Sequence, residues 1–328
     1  MNKALLITTN ANALRGDSYT NFRRLERSLT ACATGWSPTA SADDADIILF
    51  TDPTDPLLRD IRSHSVYHTH RDKVMVNCDN DVVYPLVPGL YTSLRDGRHN
   101  ARWSEGGGYV KVFDHDWIVA TAIQAEPRYL ASFVGCFANH EIRQRLSGLN
   151  GRDFLVRDTD ADARRKNGQP AVVYEVWWHE FAQTLRDSAF ILCPRGFAPS
   201  SYRIFEAMKA GRVPVIISDD WVAPVGPKWE QFSIRVGERY VGHVEGICRA
   251  NAGRVVEMGR LAQSAFAEYF SVESCAANIL NRCLAIKSSY RACYRCNQAS
   301  AALHGLTDLP MIRRTVGSTI KKWVLGSS

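Results

Sequence analysis

Five residues able to handle a nucleotide lie within a dozen positions: Arg195, Ser200, Ser201, Arg203 and Glu206. Apolar runs flank them. Phe190-Ile191-Leu192-Cys193 reads as a buried strand stopped by Pro194, and Val213-Pro214-Val215-Ile216-Ile217 as a second, ended by Ser218-Asp219-Asp220. Between them a helix pattern runs from Ser201 to Ala210. Ser200 or Ser201 is a natural N-cap, and Gly211 is a normal stop. Such a strand–loop–helix–strand unit puts a helix N-terminus at the carboxyl edge of a parallel sheet, where unpaired N–H groups and the positive dipole end favour an anion. Arg195 and Arg203 can make charge-assisted bonds to phosphate. Glu206, three residues after Arg203, shares its helix face. A carboxylate there suits the two hydroxyls of a ribose better than a phosphate. Together these types describe a nucleotide-diphosphate pocket. On pattern alone, a plain βαβ unit with Arg203–Glu206 as a surface ion pair explains the same residues equally well.

The elements that must position this segment form two α/β runs. In the first, strands are expected at 3–9, 46–50 and 73–77 and a helix near 19–30. The stretch 85–128 is loop-rich, with Gly89, Gly97 and Gly106-Gly107-Gly108 and an aromatic, charged patch from Phe113 to Trp117. A second run restarts near residue 126. Strands are expected at 129–135, 153–157, 190–193, 213–218 and 231–236, and helices at 140–146, 172–188 and 201–210, with mainly helical sequence over 238–298. Alternating strands and helices imply parallel sheets. The expected domains are 1–125, facing the acceptor, and 126–300, holding the donor; 301–328 is a basic helix that packs back or lies on a membrane. With 328 residues, two domains is the default, and the composition, 45% apolar and 23% charged, is that of a globular protein. A formal charge of +6, spread along the chain, suits a small anion or a membrane surface rather than nucleic acid. No signal peptide or spanning segment is visible, so the reading is cytoplasmic, or peripheral at the inner face of a membrane.

The central segment resembles the exostosin family of glycosyltransferases. The matching pieces are Pro194-Arg195-Gly196, Ser200-Ser201-Tyr202-Arg203, Glu206-Ala207, Gly211-Arg212-Val213-Pro214-Val215 and Ser218-Asp219-Asp220-Trp221, with Tyr129 to Arg143 as a weaker upstream match. The resemblance implies a GT-B fold, two Rossmann-like domains facing a cleft. It implies a UDP-linked nucleotide-sugar donor as co-substrate, inversion at the anomeric carbon, and no bound metal. The donor set it implies is Arg143, Arg195, Gly196, Ser200, Ser201, Arg203, Glu206 and Asp219. The acceptor is a glycan or a lipid-linked glycan. The chain is shorter than animal exostosins, without their anchor and second transferase domain, which points to a single-step transferase rather than a polymerase. Two alternatives stand beside it: a catalytically silent exostosin-like partner that binds glycan or scaffolds, and an enzyme using GDP-fucose.

Inversion needs a base from across the cleft, its proton affinity matched to the task. Asp79 and Asp81, which follow a buried strand, and His115 are the candidates; simple turn chemistry also explains the aspartates. His68 and His70 read as a solvated loop pair rather than metal ligands, and Trp177 and Trp178 as core. Cys293 and Cys296 form a CxxC without a second pair, so two helical thiols in a reduced compartment are expected. The tail 311–325, with four basic residues and no acid, has the pattern of a membrane-surface helix.

Overall fold

The computed structural model describes residues 1–11, 20–31, 35–123, 127–149, 151, 153–160 and 171–290. Cys293, Cys296 and the tail 311–325 lie outside them. Two sheets organise the chain. The first has strands β1 (Asn2–Thr8), β2 (Trp36–Pro38), β3 (Ile47–Thr51), β4 (Val74–Cys78), β5 (Gly89–Tyr91) and β6 (Ser104–Gly106), in the order β2-β1-β3-β4-β5-β6. The second has β7 (Tyr129–Gly135), β8 (Phe154–Asp158), β9 (Ser188–Pro194), β10 (Val213–Ile217) and β11 (Ile234–Val236), in the order β11-β10-β9-β7-β8. Every pairing in both is parallel. That is why β3, β4, β9 and β10 are nearly unbroken apolar runs, buried along their whole length. This is the α/β, two-Rossmann, GT-B arrangement that the sequence led us to expect.

The helices that matter for the site are α1 (Asn21–Ala31), α2 (Glu141–Arg145), α3 (Ala171–Arg186), α4 (Tyr202–Lys209), α5 (Val255–Tyr269) and α6 (Cys275–Tyr290). Among the described residues no helix is long and apolar enough to cross a membrane. Although α6 falls within the 126–300 span, it returns to the first sheet. Its Ala276 N–H donates to Ser28 Oγ on α1 at 3.0 Å, Asn281 Oδ1 accepts from Trp36 Nε1 at 2.9 Å, and Arg282 pairs with Glu105 of β6.

Two seams join the halves. At one, residues 94–96 meet 220–222: Arg95 bridges Trp221, Asp96 N–H donates to Asp220 O at 2.9 Å, and Arg95 Nη1 lies 3.0 Å from Asp220 Oδ2. Gly106 sits against this strap so closely that an added Cβ would stand 2.3 Å from Val222 O. At the other, the 3₁₀ turn Val110–Asp114 lies between α1 and α4. Asp114 pairs with Arg24 and Arg27 of α1, while Lys209 Nζ of α4 donates to the carbonyls of Phe113 and His115 at 2.8 and 2.9 Å.

Candidate active site

Read from its outer strand, the second sheet runs β8-β7-β9-β10-β11. In sequence order that is 2-1-3-4-5, and its direction of connection switches between β7 and β9. Open α/β sheets bind ligands at the carboxyl ends of the strands flanking such a switch. A cavity of about 260 Å³ opens there. Gly135, Cys136 and Arg143 line one side, Gly196, Phe197, Ser200, Ser201, Tyr202 and Arg203 the other. Asp81 and Tyr109 reach it from the first half, so it lies between the two sheets.

Arg143 forms the floor. Its guanidinium donates to three strand-end carbonyls: Arg195 O at 2.9 Å, Cys136 O at 3.0 Å and Pro194 O at 3.4 Å. It thereby fastens the ends of β7 and β9 together. No carboxylate among the described residues pairs with it, so its charge is not cancelled locally. Burial, then the neighbouring Arg203, bring its pKa down from 12.5 to about 10, and it stays charged at neutral pH. Gly196 is small for a reason: an added Cβ would stand 3.2 Å from Arg143 Nη2.

Above the floor, α4 begins at the N-cap Ser201, whose side chain makes no capping bond. The Ser200 hydroxyl is buried without a hydrogen-bond partner. A helix N-terminus, two hydroxyls and an uncancelled guanidinium converge on one space, a standard anion-binding arrangement. Tyr109 and Tyr202 close the wall with ring centroids 3.8 Å apart, and Lys111 Nζ lies 3.9 Å from the Tyr202 ring centroid. Burial pushes both phenols up, so each stays neutral.

The structure gathers six of the expected site residues around this cavity: Asp81, Arg143, Gly196, Ser200, Ser201 and Arg203. Five take other places. The Arg195 side chain turns inward, with Nη2 donating to Phe197 O at 3.3 Å and Nη1 3.4 Å from Glu238 Oε1, so it shapes the loop rather than facing the opening. Asp219 Oδ1 accepts the Glu238 N–H at 2.9 Å, a loop clamp beside β10. Glu206 is 1% exposed. One of its oxygens meets Arg203 and the other lies 3.0 Å from His115 Nδ1, so in this arrangement neither is open to a ribose. Burial pushes the Glu206 carboxyl up, but Arg203 and His115 outweigh it and hold the group down at about 2. The His115 contact is a close approach whose angle misses hydrogen-bond geometry. His115 itself is stacked on Trp117 at 4.7 Å and does not line the cavity. Asp79 follows β4 half-buried, and its charge acts on Lys111, Tyr109 and Tyr202 without lining the cavity.

Other expectations resolve simply. His68 is exposed on the short helix Ser65–Thr69, and His70 lies 3.7 Å from Asp43. Trp177 and Trp178 pack against the core, with Trp178 stacked on Trp117 at 4.4 Å. Tyr109, Tyr202, Cys136 and Phe197 are lining residues that sequence reasoning missed. Only Tyr202, beside the serine N-cap, carried a positional signal.

Residues 109–250 match the model of the Exostosin GT47 domain. The chain is 25% identical over 276 residues to an Exostosin-1 homolog of Caenorhabditis elegans, covering 68% of this chain and 69% of that one. It is 31% identical over 159 residues to Exostosin-1 of Drosophila melanogaster, covering 44% of this chain but 21% of that one. It thus spans most of the nematode relative and about a fifth of the fly protein. Among solved structures, a glycosyltransferase from Rickettsia africae superposes with a TM-score of 0.42 at 10% identity, covering 89% of this chain and 99% of that one.

Proposed function

We propose that this chain, whose residues 109–250 match the model of the Exostosin GT47 domain, is a glycosyltransferase that moves a sugar from a UDP-linked nucleotide-sugar donor onto a glycan or lipid-linked glycan acceptor, with inversion. One observation carries the reading: Arg143, charged and without a carboxylate partner among the described residues, lies under the uncapped start of α4 at the switch point of the second sheet. The leaving diphosphate would sit between that guanidinium and the hydroxyls of Ser200 and Ser201. Fixed positive groups there stabilise charge that grows as the glycosidic bond breaks, the largest single contribution in many enzymes.

The base that takes the acceptor proton is Asp81 in this reading. Of the three candidates it alone lines the cavity, and it comes from the opposite half. His115, in contact with Glu206 and Trp117, does not line the cavity. A lipid-linked acceptor would hold the enzyme at a membrane surface, with 311–325 as the contact. Liposome flotation of the full chain against residues 1–308 tests that contact, and equal binding by both removes it.

The central test is a thermal-shift panel of nucleotides followed by a transfer or donor-hydrolysis assay. UDP should raise the melting temperature more than uridine or GDP. Asp81→Asn should keep that shift while turnover falls by about 10²–10⁴-fold. No shift with any nucleotide overturns the proposal, and a larger shift with GDP moves the donor to a GDP-sugar.

A further inference from the structure

His115 falls in the connection between the sheets and does not face the cavity, yet its surroundings tie it to the donor side. Its carbonyl accepts from Lys209 Nζ at 2.9 Å, which fixes its backbone against α4. Its ring is held by Trp117 at 4.7 Å, with Trp178 at 6.0 Å. Its Nδ1 lies 3.0 Å from Glu206 Oε1. The other Glu206 oxygen meets Arg203 Nη1. Arg203 then spends its remaining nitrogens on one atom: Nε and Nη2 donate to Val134 O at 2.9 and 2.8 Å. Val134 is the next-to-last residue of β7, directly before Gly135 and Cys136 of the cavity wall.

We propose that His115 is a positioning residue for the donor pocket: with Nδ1 standing 3.0 Å from one oxygen of Glu206, it keeps Arg203 seated on the end of β7. The proposal rests on the nucleotide-donor reading and deepens it. The physical case is the burial of Glu206, which is 1% exposed and cannot turn to water. A buried carboxylate oxygen that loses its partner seeks another donor, because leaving it unmade is costly. A donor already at hand is the second edge of Arg203, since arginine–carboxylate pairs favour the bidentate form. Arg203 can take that form only by leaving Val134 O. The end of β7 and the wall opposite Ser200 and Ser201 then lose their brace.

The ring of His115 also packs, so the test must separate stacking from the nitrogen. Phenylalanine keeps the ring against Trp117 and removes Nδ1. Asparagine gives up the ring and puts an amide nitrogen where Nδ1 stands. UDP affinity is measured by calorimetry on each folded variant. His115→Phe should weaken UDP binding by about tenfold, and His115→Asn should recover most of that loss. UDP binding by His115→Phe equal to wild type, or equal impairment of both variants, overturns the proposal: in the first case the ring alone suffices, and in the second a nitrogen in the place of Nδ1 restores nothing. If His115→Phe does not fold, Glu206→Gln replaces it: a similar loss supports the role, and unchanged affinity overturns it. A wild type that binds no nucleotide removes the donor reading and this role together, whereas a binding wild type with an indifferent His115→Phe removes the role alone.

Discussion

Replacing Arg143 by methionine keeps the bulk of its stem and removes both its charge and its donors. Two losses should follow, and they should separate. The first is structural. The carbonyls of Cys136, Pro194 and Arg195 lose bonds of 3.0, 3.4 and 2.9 Å. Cys136 lines the cavity, where water can replace the guanidinium, but the Pro194 and Arg195 carbonyls are buried, so the stability loss should be about 1–3 kcal/mol. The second is functional. A charge-assisted contact to phosphate contributes roughly 1.5–3 kcal/mol, so UDP should bind about 10- to 150-fold more weakly. Uridine carries no phosphate and should bind nearly as before. The assay is calorimetric titration of both ligands into wild type and Arg143→Met, with denaturant unfolding run alongside. The discriminating quantity is the ratio of the two affinities. If the UDP-to-uridine ratio is the same in both proteins, Arg143 holds no phosphate. The switch-point argument then fails, because no other lining guanidinium is free of a carboxylate: Arg203 is neutralised by Glu206.

Three further outcomes follow from the packing. Glu206 is held at about 2 against an ordinary 4.5, so the stability it adds is present above about 4.5 and is lost as pH falls toward 2; the wild type should lose on the order of 3 kcal/mol across that window, and Glu206→Gln should lack that part of the acid slope in urea melts. Ser28→Ala removes the acceptor of the Ala276 N–H in a fully buried place, and chemical denaturation should register a loss of about 1–3 kcal/mol with no change in nucleotide affinity. Gly106→Ala would drive a methyl to 2.3 Å from Val222 O, backbone against backbone, so the 220–224 strap must shift; the melting temperature should drop by several degrees, and an unchanged one would mean that this seam is loose.

What was legible in the sequence follows physical rules. The strand over 129–135 and the helix over 201–210 stand within a residue of where the pattern put them, because buried parallel strands are apolar throughout and helices declare their caps. The three-residue strands β2, β5 and β6 were not legible. Runs that short have no period, and Gly89-Leu90-Tyr91 is extended only because β4 and β6 flank it. Nor was the return of α6 to the first sheet, whose signals (Ser28 to Ala276, Trp36 to Asn281) join residues about 245 positions apart. For the site, residue types were readable and directions were not. Arg143, Arg195 and Arg203 carry the same chemistry in sequence; which of them keeps an uncancelled charge depends on where Glu206 and Glu238 fall.

That last point changes how the most recognisable motif should be read. In Pro194-Arg195-Gly196 the arginine looks like the group that carries the anion chemistry. The structure reverses the emphasis. Arg195 lies between Glu238 and Asp220, at 3.4 and 3.8 Å, and Asp220 also meets Arg95 of the first half. The arginine therefore links the donor loop to the seam that joins the two sheets. Gly196 is where the anion chemistry depends on the motif, because any side chain there would press on Arg143. Gly196→Ala should therefore mimic Arg143→Met in weakening UDP against uridine, though less severely, since a neighbour at 3.2 Å has only a few tenths of an ångström to give. Arg195→Lys should behave differently. A lysine keeps the charge but has one nitrogen where the guanidinium spreads its donors over a fork, so it does not span Phe197 O and Glu238 in the same way. It should loosen the loop and affect UDP and uridine alike. If Arg195→Lys weakens UDP selectively and Gly196→Ala does not, the assignment of roles within the motif is the wrong way round.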